Sequence, residues 1–239
     1  YAIIGLHPIH TAASFHDEKE LGLPAGQAGG MTGFTSRGEV FDADFYRTLA
    51  QNDRVIAIGE TGLDYYHGDE VTLSKQREVF IQQIELANEL SLPLMIHVRE
   101  GEACPSNAYD DVFEILKVHS KVPGNIHFYA GTQKQAERFF DIGFTISFTG
   151  VITFPPARSA RAGAKAYEEI VQWAPLDLIH AETDCPYVAP KAYRGKRCEP
   201  WMVEEVVNKI ADLKQLPVTE VQTELIKNAE KLYQISLQG

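Results

Sequence analysis

The chain alternates between two textures. Short apolar runs rich in β-branched residues occur at YAIIGLH (1–7), RVIAIGE (54–60), LPLMIHV (92–98), GNIHFYA (124–130), GFTISFTG (143–150) and LDLIHAETD (176–184). The longer stretches between them repeat apolar residues at helical spacing. In 73–90, Val79, Ile84, Leu86, Ala87 and Leu90 line one stripe. In 109–120, Val112, Phe113 and Leu116 do the same, and 132–143 closes on Gly143, a helix stop. Two more amphipathic helices are expected after Glu199, with Thr219 capping the second.

Strands alternating with helices predict parallel βαβ units. The strands are apolar throughout rather than alternating, as expected where both faces are buried. A doubly wound sheet and a closed barrel both fit this pattern. The segment from about 11 to 41, with LGLPAGQAGGMTGFTSRG, breaks the rhythm. It reads as a glycine-rich insertion, either a surface loop or a lid. One domain over 1–239 is expected.

Composition adds little to the fold and more to the function. With 239 residues and 44% apolar content, a sizeable core is within reach. No apolar run approaches the ~18–20 residues of a membrane-spanning helix, and the N-terminus is not that of a secretory signal. Cys104, Cys185 and Cys198 are odd in number and scattered, so they read as reduced thiols in a cytoplasmic protein. The net charge of −11 disfavours a broad nucleic-acid-binding surface. It leaves room for an enzyme that grips phosphates locally.

Candidate chemistry gathers where the apolar runs end. The first ends in His7, the second in Glu60, the third in His97 with Arg99 after it. The fourth carries His127, and the last ends in Asp184. In a parallel barrel such ends converge on one face. Imidazoles with carboxylates form a common donor set for Zn²⁺, Mn²⁺ or Mg²⁺. His119 and His180 read instead as structural residues, and His10, His16 and His67 as solvated ones. The loop KAYRGKR (191–197), with Arg194 and Arg197, reads equally as a phosphate grip or a solvated basic turn.

The ordered run AIGETGLDYY, LPLMIHVRE, NIHFYAGT, GFTISFTG and IHAETDCPYVAP resembles the TatD family of metal-dependent deoxyribonucleases, within the amidohydrolase superfamily. GLHPIH and YRGKRCEPWMV fit the same family. The resemblance implies a TIM-type (β/α) barrel, two divalent metal ions, and hydrolysis of phosphodiester bonds in a DNA substrate. It makes Glu60 the carboxylate that bridges the metals and His97 and His127 the histidines of one metal site. Asp184 becomes a ligand of the other metal that helps to activate water. His7 and Arg99 fall near the substrate phosphate. Gly59 and Gly62 let the backbone turn closely around the site.

The chain departs from the family in having no His-x-His pair and six strand candidates where a barrel has eight. The barrel is therefore expected to be incomplete at its N-terminal end. HFYAG and Cys198 also differ from the family's usual residues and bear on substrate positioning. Two other readings suit the same residues: hydrolysis of a small ester, amide or phosphoester, and a catalytically impaired binding protein. Neither a membrane nor a protein partner is expected.

Overall fold

The computed structural model describes residues 1–17, 33–66, 70–101, 107–155 and 166–237. Six parallel strands form one sheet in sequence order: β1 (Ala2–Ile4), β4 (Val55–Asp64), β5 (Leu94–Arg99), β6 (Gly124–Ile126), β7 (Phe144–Phe148) and β8 (Ile179–Ala181). Helices connect them, as parallel neighbours require. These are α2 (Glu70–Leu90), α3 (Ala108–His119), α4 (Gln133–Asp141) and α5 (Ala166–Trp173), with α1 (Ala43–Leu49) ahead of β4. Then α6 (Val203–Lys214) and α7 (Val218–Tyr233) close the described fold. The TIM-type α/β architecture expected from the sequence is the one observed. Strand residues such as Ile58, Leu94, Ile96, Ile126 and Ile146 are fully buried in one core with the inner faces of the helices.

Local signals explain most boundaries. Thr132 caps α4 through a reciprocal capping box with Gln135. Gly143, at φ +83°, follows its C-terminus and takes the left-handed conformation that ends a helix. The cap expected at Thr219 is not formed. Pro217 occupies the cap position of α7, without a side-chain cap, and Thr219 lies inside the first turn.

Three further expectations change. The 11–41 segment is not loop throughout: β2 (Ser14–Asp17) and β3 (Gly33–Ser36) pair antiparallel, bracketing residues 18–32, where a lid would fall, outside the described residues. The run at 54–60 does not stop at Glu60, since β4 continues to Asp64. The last strand ends at Ala181, so Asp184 stands three residues beyond it. Among the described residues, no helix is long and apolar enough to cross a membrane. Cys104 lies outside the described residues, and Cys185 and Cys198 are free thiols.

His180 is structural, as expected. It is 8% exposed in β8, with Nε2 at 2.9 Å from Thr145 Oγ1. Burial pushes its pKa down to about 4, against the opposing charge of Glu182. The folded pKa lies below the unfolded value, so the unfolded chain takes up the proton first as pH falls. The neutral ring's contribution is complete above about pH 6.5 and drains away toward pH 4. The urea-unfolding penalty of His180→Asn at pH 7 should therefore shrink by about 2–3 kcal/mol at pH 4.5. A penalty that stays constant across that range would contradict the assignment.

Candidate metal centre

The C-terminal ends of the strands and the turns after them bring the candidates together. Glu60 Oε1 is the meeting point. It lies 2.7 Å from His97 Nδ1, 3.5 Å from His7 Nε2 and 3.9 Å from His127 Nε2. His127 Nε2 is in turn 3.6 Å from Asp184 Oδ1. Five strands or their following turns thus deliver five side chains to one place.

The backbone of β4 explains how Glu60 points there. Ile58 pairs with Leu94, yet Thr61 pairs with Ile96, so β4 carries one extra residue across Gly59–Glu60. Such a bulge breaks the strict alternation of faces and re-aims a side chain. A buried helix residue then holds the region. Gln83 of α2 accepts a hydrogen bond from Leu6 N–H at 2.8 Å. It donates to Leu6 C=O at 2.9 Å and to Thr61 Oγ1 at 2.6 Å. Two turns earlier, Gln76 accepts from Asp64 N–H at 2.8 Å and donates to Asp64 C=O at 3.1 Å. The two glutamines tie the turn carrying His7 and the end of β4 to one helix.

The three histidines differ in what faces their outer nitrogen. His97 Nε2 is 3.0 Å from Asp64 Oδ2, a carboxylate only 1% exposed. His127 Nδ1 is 2.9 Å from Glu182 Oε2, although the contact is off the direction of a hydrogen bond. Glu182 is itself positioned by N–H of Phe128 at 2.8 Å and by Ser147 Oγ at 2.6 Å. An outer carboxylate of this kind orients a metal-binding imidazole and raises its basicity. His7 is built differently: its Nδ1 accepts Ile9 N–H at 3.3 Å. The ring proton of neutral His7 then sits on Nε2, 3.1 Å from His97 Nδ1 and 3.5 Å from Glu60 Oε1, which makes His7 a donor toward anionic oxygen.

The electrostatics agree with that division. Burial opposes charge on His97, but hydrogen bonds and charges from Asp64 and Glu60 outweigh it and raise the pKa to about 9. Burial is likewise outweighed at His127, chiefly by the Glu182 charge, and its pKa lies well above the ordinary value. Glu60 is held well below the carboxylate range: burial works against ionisation, but contacts with His7 and His97 and the His127 charge prevail. At His7 burial prevails, and its pKa is lowered. A concentrated negative site is thus balanced by protons on His97 and His127. This is a place suited to a divalent cation, with mixed nitrogen and carboxylate donors.

The remaining candidates are placed by other contacts. Arg99, at the end of β5, places its guanidinium 4.0 Å from the Tyr66 ring centroid. Arg194 lies 5.7 Å from the Phe154 ring, and Arg197 Nε is 3.7 Å from Glu199 on the exposed surface. Neither is brought against the His–Glu group. His10 is half-buried, with its ring centroid 6.0 Å from that of His7, so it is not simply solvated. His67 and the side chain of His16 lie outside the described residues.

The sequence profile of the TatD related DNases matches residues 1–234. The chain belongs to this family. An uncharacterized metal-dependent hydrolase of Bacillus subtilis, YabD, is 37% identical over 197 residues, covering 82% of this chain and 71% of its own. The Escherichia coli protein YcfH, of the same description, is 35% identical over 202 residues, covering 84% and 71%. Among solved structures, the E. coli TatD homologue YjjV superposes with a TM-score of 0.73 at 25% identity, over 99% of this chain and 77% of that one. A TatD family hydrolase from Entamoeba histolytica shares the fold, with a TM-score of 0.67 at 22% identity over 97% and 73%.

Sequence reasoning missed Asp64, Glu182, Gln76 and Gln83. Asp64 and Glu182 sit inside the very motifs that were read, LDYY and ETD. The available signal for the glutamines was their seven-residue spacing on the apolar face of a helix, where polar residues need partners.

Proposed function

We propose that this chain is a metal-dependent hydrolase that cleaves phosphodiester bonds in DNA. The observation that carries the reading is the convergence on Glu60 Oε1 of three imidazoles, two of them backed by carboxylates. Membership of a family of DNases supports the substrate class. In this reading Glu60, His97, His127 and Asp184 hold two divalent ions, of Mg²⁺, Mn²⁺ or Zn²⁺ type. Such ions, when bound, neutralise phosphate charge and lower the pKa of water.

The protein's own groups do the rest. Asp64 and Glu182 keep the inner imidazole nitrogens turned toward Glu60. Asp184, 31% exposed at the mouth of the group, takes the proton of the attacking water on its carboxylate. His7 donates from Nε2 to a phosphate oxygen, and Arg99 offers a guanidinium fork to the same charge.

Cleavage of linear DNA in Mg²⁺ or Mn²⁺ should vanish in EDTA and fall on the order of 10³-fold in Asp184→Ala. Unchanged cleavage in all three conditions would sink the proposal. The net charge of −11 favours one other reading, a small phosphoester, ester or amide as substrate. Turnover of small substrates with none of DNA would select it.

A further inference from the structure

The segment that follows Asp184 is a folded unit with an unusual surface. Tyr187 N–H donates to Asp184 C=O at 2.7 Å, and Cys198 N–H donates to Pro186 C=O at 3.0 Å. Ala189, Cys198 and Met202 form a small buried cluster of their own, against which Tyr193 packs. Lys191 N–H donates to Thr153 Oγ1 at 2.8 Å. The segment is therefore anchored to the turn that carries Asp184, not trailing from it.

Its outer side interleaves rings and cations. Trp201 is 52% exposed and meets Tyr193 edge-on, with centroids 5.1 Å apart. Lys196 Nζ lies 5.8 Å from the Tyr193 ring, and Arg197 is 70% exposed. Four cations fall within the seven residues 191–197 of a chain whose net charge is −11. Trp201 stands three residues after Cys198, at most about 11 Å of chain from a residue bonded to the Asp184 turn. An exposed indole beside cations, on the segment anchored to the Asp184 turn, matches the contacts that hold a nucleic-acid strand without reading its sequence.

We propose that Trp201, braced edge-on by Tyr193, is a stacking platform for one nucleobase of the substrate, with Lys196 and Arg197 against the adjoining phosphates. The proposal rests on the nuclease reading above and adds the subsite to it. Base contacts of this kind bind by face and not by edge, so the platform accepts any base.

The test separates base from phosphate. Fluorescence anisotropy compares a single-stranded phosphorothioate oligonucleotide with an abasic strand of equal length and backbone, in Mg²⁺. The wild type should bind the base-bearing strand about tenfold more tightly. Trp201→Ala should abolish that preference, and Trp201→Phe should retain most of it. Equal binding of both strands by the wild type, or a preference intact in Trp201→Ala, would overturn the platform. Binding of the abasic strand by Trp201→Ala should stay within about twofold of wild type, because that strand has nothing to stack. A loss there matching the loss on the base-bearing strand would mean a disrupted site and would also overturn it. If the wild type hydrolyses no unmodified oligonucleotide, the nuclease reading fails, while the base preference on the resistant strand still decides the platform.

Discussion

Glu60→Gln should reduce hydrolysis on the order of 10³-fold or more, with the fold retained. The substitution keeps the shape of the side chain and removes only its charge. That charge lies within 4 Å of the inner nitrogens of His7, His97 and His127 at once. No other single change touches so many of the converging groups. Bound metal, measured by elemental analysis after dialysis, should fall with activity, because a neutral amide is a far poorer ligand than a carboxylate. Asp64→Asn gives the contrast. Asp64 meets the outer nitrogen of His97, away from Glu60, so its loss should cost about 10–100-fold. A Glu60→Gln enzyme with wild-type metal content and turnover would remove Glu60 from the centre of the site.

The second large effect is on folding. Gly62 pairs directly with His97 across β4 and β5, at φ +147°. A Cβ at Gly62 would fall 2.0 Å from the His97 carbonyl oxygen and 3.1 Å from its nitrogen. Backbone cannot swing aside as a side chain can, so the two strands must separate. Gly62→Ala should cost on the order of 3–5 kcal/mol, combining overpacking with an unfavourable φ. That is a large part of the stability of an ordinary domain. Gly143→Ala provides the scale: its φ is +83°, but the added Cβ meets nothing within 4 Å. It should cost only about 1 kcal/mol. Urea denaturation of both variants checks the ordering. A smaller loss for Gly62→Ala than for Gly143→Ala would show that β4 and β5 can part without penalty. The close approach also matters for chemistry, since the strand that Gly62 admits is the one that presents His97.

Much of this was legible in the residues themselves. All six strands of the main sheet were visible as apolar runs, because a strand buried on both faces has no polar alternation to blur it. The helical stripe of Val79, Ile84, Leu86 and Ala87 is the buried face of α2. Glu60, His97, His127 and Asp184 stood out for the same reason: a charged or titratable residue interrupting an apolar run needs an explanation. Element ends were less legible. The turn glycine and polar residues after Glu60 suggested that the strand had stopped, whereas pairing with β5 carries it on to Asp64.

The sequence alone therefore determined the α/β order, the family and the residue types gathered at the strand ends, since these depend on local pattern. Only the tertiary structure decided which atoms meet. The one-residue bulge that turns Glu60 inward is a property of register between two strands. The roles of Asp64 toward His97 and of Glu182 toward His127 arise from contacts 33 and 55 positions apart in the chain. The division of three similar histidines into two backed by carboxylates and one fixed as a donor comes from the partner of each outer nitrogen. Spacing along a chain carries none of this, because the partner of a buried polar atom is chosen by packing in three dimensions.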